Sequence, residues 1–360
     1  MTDNTKLKIG LRYSPQFGCI VESTFNNNET KISDYDQINQ IINEIKSKKA
    51  FASSVQVYIL QVPLPKFPPV VIALILNNGS DKTVDIVDLH QKLLMNIALQ
   101  LNLYILISIG SDGALVEFQT QTLIQSMSID ERLQMIDTRF DITFSCPIIP
   151  SVGPVLRVQG SKHAKKTCQN VIMSGAQVLS FGRSTARFDH FLLISQRLDS
   201  VMYKQDVVKL DRQDDAAAYR AFCSSNLKTS APQNSESMVL LVKAHREYYP
   251  SVPLLLWMHG SEAAEYFFGI ARQINPDFTF AELIYIVPKI AQYSKALRND
   301  NFIYAKENQY VKVKFILLIL TSKSLIFLDV QYVLLDGLLN FTQMIEIRAK
   351  HEAYNLKVLE

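Results

Sequence analysis

Two continuous apolar runs with a helical pattern between them constrain the fold of this chain more than any other feature. Residues 70–76 read VVIALIL and residues 103–110 read LYILISIG, and both runs are typical of strands buried on both faces of a sheet. Residues 81–102 carry apolar side chains at helical spacing, so the three segments predict a strand, a helix and a second strand. This alternation indicates an α/β protein with a mixed sheet covered by helices.

The second apolar run leads directly into Asp112. Ligands of α/β sheets bind beyond the carboxyl ends of the strands. Asp112 is therefore the strongest candidate for a functional acid in the N-terminal half of the chain. The Asp112-Gly113 pair is also a common turn sequence, and a purely structural role therefore stays open.

Weaker patterns fill in the remaining elements. Strand patterns occupy 7–14, 18–25 and 55–62, and helical patterns occupy 34–50, 114–126, 237–250, 260–274 and 278–297, the last with a kink expected at Pro288. Residues 162–228 are mostly of helical type, and the polar residues 229–236 predict a break before the next helix.

Composition excludes several classes of protein. The chain has 360 residues, of which 48% are hydrophobic and 20% charged, so it can bury a core and is not a disordered chain. The formal net charge of +3 does not indicate nucleic-acid binding, and any such surface has to be a local patch. Four scattered cysteines and a polar start, MTDNTKLKIG, predict reduced thiols and a cytoplasmic or nuclear location.

Residues 315–341 are rich in apolar side chains, and a membrane span has to be considered there. Lys323, Asp329 and Asp336 interrupt this stretch, and a charge at the centre of a spanning helix costs a few kcal/mol. Buried strands or a helix hairpin are therefore favoured over a membrane span.

Three acids stand where a metal site for phosphoryl transfer can be built, namely Asp3, Asp112 and Glu265. Such chemistry needs carboxylates that hold two divalent cations close together. Each acid also has a structural interpretation, because Asp3 lies in the first residues of the chain, Asp112 begins a turn and Glu265 can pair with Arg272 on its helix.

The other histidine and serine residues that could be reactive match no known site motif. His245 and His259 lack partners at metal-ligand spacing, and Ser261 does not lie in a GxSxG sequence. A basic segment consists of Lys162, His163, Lys165 and Lys166. These side chains either contact nucleic-acid phosphates or form a solvated helix face.

Three passages resemble transposases of the P-element type, including their relatives associated with THAP zinc-binding domains. Ser111–Ala114 resembles an Asp-Gly segment at a strand end, and 162–170 resembles the segment Asp-x-x-His-x-x-Lys-x-x-Arg-Asn. Residues 260–272 resemble the segment acid-x-x-Glu-x-Phe-Phe, which supplies the last catalytic glutamate. The opening residues 3–7 match the first acidic position of the family more weakly.

This resemblance implies an RNase H-like core, a mixed sheet flanked by helices, followed by a shortened and mostly helical insertion. It implies that Asp3, Asp112 and Glu265 hold Mg²⁺ or Mn²⁺ for cleavage and strand transfer of DNA, in a protein without a membrane segment and compatible with a homo-oligomer. The implied division assigns the first part of the core to 1–160, the helical region to 161–250, the helix completing the core to 251–300 and a divergent apolar tail to 301–360.

The sequence also departs from the family pattern. Gly160 stands where the family has an acid before the histidine, and Gln169 replaces the arginine of the Arg-Asn pair. No Cys/His zinc-binding pattern precedes Asp3, and residues 229–236 read as the scar of a deleted insertion. These departures favour an alternative, a catalytically inactive transposase remnant that binds DNA or protein.

Overall fold

The computed structural model describes residues 1–298 and the backbone of 315–330, apart from 16, 26, 63–68, 102–107, 113, 140, 176–178, 182–183, 209–213, 222–231 and 322–323. The chain divides into two compact units. One, here the split unit, consists of Met1–Asp81 and Glu262–Glu360, and the other, the continuous unit, consists of Lys82–Ser261.

Strands are short and are distributed over both units. In chain order they are β1 Thr2–Lys6, β2 Arg12–Ser14, β3 Cys19–Val21, β4 Ser54–Leu60, β5 Val70–Asn77, β6 Ser108–Ser111, β7 Arg132–Asp137, β8 Ile142–Ile149, β9 Gly153–Pro154, β10 Leu156–Gln159, β11 Leu179–Phe181, β12 Ser184–Ala186, β13 Phe315–Thr321 and β14 Ser324–Val330.

Helices separate these strands along the chain. They are α1 Asn27–Thr30, α2 Gln37–Ser47, α3 Thr83–Leu101, α4 Leu115–Gln125, α5 Ser161–Met173, α6 Phe188–Ser195, α7 Lys204–Val208, α8 Asp215–Ala221, α9 Pro232–Tyr248, α10 Glu262–Ile274 and α11 Phe280–Arg298, with a short 3-10 helix at Leu256–Met258.

The split unit contains a five-stranded mixed sheet in the order β1–β4–β5–β13–β14. Neighbouring strands are antiparallel except for β5 and β13, which are parallel. The apolar run at 70–76 forms β5, as its sequence predicts, and two strands of the apolar stretch after 315 extend the sheet beyond it.

Helices α10 and α11 supply the apolar side chains that cover this sheet. The buried side chains of α10 are spaced three and four residues apart, which is the spacing of one helical face. They share a core with residues of β4, β5 and α11, and its members include Ala264, Phe267, Phe268, Val55, Val57, Leu74, Phe280 and Leu283.

Two small sheets in the continuous unit pack against its helices. β6 and β10 form a parallel pair, and β7, β8 and β9 form an antiparallel sheet. Helix α3 packs against α4 beside the parallel pair, around Leu94, Ile109 and Ile124. Helix α9 packs against β7, β8 and β10, where Leu240 and Leu241 are fully buried.

Residues 161–221 of the continuous unit are mainly helical, with one antiparallel hairpin of β11 and β12. Helices α5 to α8 surround a core that includes Ile172, Phe191, Met202 and Val207. Asp206 is buried and accepts two hydrogen bonds from the Arg220 guanidinium, from Nε and from Nη2, both at 2.7 Å.

The predicted α/β class is confirmed, since helices alternate with several small sheets. Two expectations were wrong in detail. The first strand was expected at 7–14, but Asp3 already lies within β1, because the polar residues 2–6 pair with β4 through their backbone. The polar stretch at 229–236 is not a break throughout, because α9 begins within it at Pro232, a residue well suited to the first helical position.

None of the helices in the described part of the chain has the length and apolar character that a membrane-spanning helix needs.

Candidate functional site at the ends of two parallel strands

The parallel strands β6 and β10 end at the same edge of their sheet. Ser108 pairs with Leu156 and Ser111 pairs with Gln159, so the residues that follow, Asp112 and Gly160, emerge side by side. Because ligands of parallel sheets bind at this edge, the continuous unit has one candidate site here.

Asp112 shapes the turn that connects β6 to α4. Its Oδ1 atom accepts a hydrogen bond from the backbone N–H of Ala114 at 2.9 Å, which is an Asx turn. The predicted strand before Asp112 is confirmed for its described part, Ser108–Ser111. The carboxylate therefore has one oxygen committed to the backbone.

A backbone segment, His259–Ser261, lies against the ends of both strands. A Cβ atom on Gly110 would meet the carbonyl oxygens of Gly260 and His259, the latter at 2.7 Å. A Cβ atom on Gly160 would lie 2.5 Å from Ser261 Oγ. Gly110 thus permits a close approach of backbone that a larger residue would block, and Gly160 leaves room for the Ser261 side chain.

His259 is buried beside the strand pair. It is 4% exposed, and its Nδ1 atom lies 3.0 Å from Ser108 Oγ. Burial, with a smaller contribution from the neighbouring His245, lowers the pKa of His259 to about 4. The imidazole is therefore neutral at physiological pH and acts here as a hydrogen-bonding group.

Helix α5 starts at this edge and carries the basic segment. The backbone N–H of Gly160 donates to the carbonyl of Ser111 at 2.9 Å, and α5 begins at the next residue. His163 is half-buried near Gly160, and Lys165 Nζ lies 5.2 Å from the ring centroid of Tyr219. The side chain of Lys162 lies outside the described residues.

The other two predicted acids belong to the split unit. Asp3 pairs with Val57 in the β1–β4 ladder, and its Oδ1 accepts the backbone N–H of Asn4 at 2.8 Å. Glu265 lies in the first turn of α10, a helix that packs against β1 and whose Arg272 is hydrogen-bonded to Thr5.

No group of three or more His, Cys, Asp or Glu side chains among the described residues is arranged to hold a metal ion. The metal-binding roles of Asp3, Asp112 and Glu265 stay predictions.

The fold and the strand-end site define a mixed α/β protein with a basic helix beginning at the edge of a parallel strand pair. No protein-family model matches the chain, and neither a curated protein nor a solved structure matches it. The resemblance to transposases therefore stays a proposal.

The segment His259–Ser261 is the part of the site that sequence reasoning missed. His259 has no partner at metal-ligand spacing, and its neighbour Ser108 is far away in the sequence. The available signal was the occurrence of glycines at both strand ends, Gly110 and Gly160, with a third at Gly260.

Proposed function

We propose that this chain is a transposase-derived protein that binds DNA at the ends of β6 and β10. This binding does not depend on catalytic activity. The observation that carries this proposal is the start of a lysine-rich helix, α5, at the carboxyl edge of a parallel strand pair. Backbone N–H groups and the helix dipole favour phosphate at such a position. The near-neutral net charge of the chain makes this local patch the source of affinity.

Replacing Lys165 and Lys166 together with glutamine is expected to weaken binding of duplex DNA. The slope of log affinity against log salt concentration should become shallower by about 2, because each phosphate-contacting lysine contributes about 1. Fluorescence anisotropy with a labelled duplex over a salt series measures both quantities.

The matched control replaces Lys46 and Lys49, two exposed lysines of the split unit, with glutamine. It changes the net charge equally and should leave the slope unaltered. An equal loss in both double variants would mean that DNA binding depends on overall charge and not on α5.

A second candidate is metal-dependent cleavage of DNA by Asp3, Asp112 and Glu265 in an RNase H-like core. The place of Asp112 directly after a strand of a parallel pair favours it. The chemistry that Mg²⁺ or Mn²⁺ would supply is activation of the attacking oxygen and stabilisation of the leaving one. Gly160, which stands where the family has an acid, favours the inactive remnant instead.

Replacing Asp112 with asparagine separates the two candidates. Asparagine keeps a side-chain oxygen for the N–H of Ala114 but removes the charge, so the turn is preserved. An active enzyme should nick supercoiled plasmid in Mn²⁺ about 100-fold more slowly after this change, since loss of a metal ligand costs several kcal/mol.

Asp137→Asn is the control for that assay, because Asp137 makes the same type of turn with the N–H of Arg139 at 3.0 Å. Asp3→Asn and Glu265→Gln should behave like the Asp112 variant. Absence of nicking by the wild-type protein supports the remnant, and equal nicking by all variants rules out these acids.

A further inference from the structure

Two exposed tyrosines of the continuous unit each have a cation over the ring. Tyr203 is 58% exposed, and the guanidinium carbon of Arg220 lies 4.8 Å from its ring centroid. Tyr219 is 62% exposed, with Lys165 Nζ at 5.2 Å. Each of these exposed rings therefore has a cation beside it, and the four residues Tyr203, Arg220, Tyr219 and Lys165 are together called the tyrosine surface.

Buried contacts hold the tyrosine surface in place. Arg220 is fixed by its two hydrogen bonds to the buried carboxylate of Asp206, and the backbone N–H of Tyr203 donates to the same carboxylate at 2.9 Å. Helix α5, which carries Lys165, packs against α8, which carries Tyr219 and Arg220. The backbone at Tyr203 and the helix that carries Tyr219 are thus held by packed contacts, so a planar ligand has to order only the two rings themselves.

Lysines of helices α5 and α7 supply the positive charge for an anionic ligand. Arg220 itself faces two carboxylates, those of Asp206 and Asp214, at 2.7 and 3.7 Å from its Nη2 atom. The guanidinium charge offsets part of their negative charge. Lys165 and Lys166 on α5 and the exposed Lys204 at the start of α7 add positive charge to the same group of helices.

We propose that the tyrosine surface binds single-stranded nucleic acid, with bases stacked on Tyr203 and Tyr219 and the backbone phosphates facing the lysines. Stacking on aromatic side chains needs unpaired bases, because the faces of paired bases are covered within a duplex. Cations beside the rings suit this partner, since they attract phosphates while the rings bind the bases. This inference rests on the proposed DNA binding and narrows its substrate to unpaired strands.

The test measures binding of a fluorescein-labelled oligothymidylate by anisotropy, in buffer with EDTA and no divalent metal. Tyr203→Ala and Tyr219→Ala should each raise Kd at least fivefold, because a stacked base contributes about 1 kcal/mol or more. Tyr203→Phe and Tyr219→Phe keep the ring and should stay within about twofold of the wild type. Tyr285→Ala, at a tyrosine that is 69% exposed on α11, should leave Kd unchanged.

Unchanged Kd in both alanine variants would overturn the proposal. Binding of duplex DNA without binding of oligothymidylate would overturn it while leaving the proposed function intact. Failure to bind either form would end both proposals, and a protein partner would then be the better match for the exposed Leu193, Leu198 and Val208 of the same helical region.

Discussion

Replacing Gly110 with alanine is expected to destabilise the continuous unit by about 3 kcal/mol, at the upper end of the usual cost of overpacking. The added methyl group would meet the carbonyl oxygens of Gly260 and His259, which are backbone atoms of a buried segment. Backbone cannot rotate away as a side chain can, so either β6 or the segment His259–Ser261 has to move.

Urea unfolding measures this change, with two signals followed in parallel. Far-UV circular dichroism reports on the whole chain, and the fluorescence of Trp257, the single tryptophan, reports on residues next to His259. Both midpoints should fall in the Gly110→Ala protein.

Gly269→Ala is the matched control for this substitution. Gly269 lies within α10, and a Cβ atom there meets nothing within 4 Å. Alanine should leave stability unchanged or raise it by up to about 1 kcal/mol, because it favours the helix more than glycine does. If Gly110→Ala were equally harmless, the close approach of His259–Ser261 to β6 would be wrong.

Replacing Arg220 with alanine is expected to cost about 3 kcal/mol, because it leaves the carboxylate of Asp206 buried without its ionic partner. Asp206 is 4% exposed and accepts both guanidinium hydrogen bonds at 2.7 Å. Chemical unfolding at neutral pH measures the loss. Arg220→Ala combined with Asp206→Asn should recover part of it, since the buried charge is then removed.

The destabilisation by Arg220→Ala should shrink as the pH falls towards about 4 and below, the ordinary range of an aspartate pKa, because the buried carboxylate of the variant then takes up a proton. Burial alone would raise the pKa of Asp206, but the hydrogen bonds from Arg220 and the N–H of Tyr203, with the nearby charge, bring it below its ordinary value. In the wild type this stabilisation is present above the pKa of the unfolded chain and is lost as the pH falls through the lowered folded-state pKa. The variant lacks it throughout.

Arg197→Ala provides the comparison, because Arg197 makes the same two-bond contact with Asp199 at the surface, with side chains 67% and 71% exposed. Surface ion pairs contribute little, so this variant should unfold at the wild-type midpoint. Similar losses in both variants would show that burial does not decide the strength of the Asp206 pair.

The strongly periodic elements of the fold were predictable from sequence. The buried run at 70–76 and the helical spacing of 81–102 encode their structures locally, and β5 and α3 occupy almost the same residues. Strand β1 was not predictable, because Thr2–Lys6 is polar and becomes a strand only through backbone pairing with β4.

The candidate site was predictable only in part. Asp112 could be recognised because a continuous apolar run precedes it. The contribution of His259 could not, because its partner Ser108 and the glycine that admits the segment, Gly110, lie far away in the sequence. Such contacts depend on tertiary structure and leave no local pattern.

The split unit is discontinuous in sequence, and this affects how the protein can fold during synthesis. Its core combines Val55, Val57 and Leu74 with Phe267, Phe268 and Phe280. When the ribosome has released residues 1–81, these early strands still lack the helices that cover them, and all of Lys82–Ser261 must emerge first. The early strands are then exposed to misassociation during translation. Chaperone dependence should accordingly be greater for nascent chains ending before Glu262 than for those that include α11.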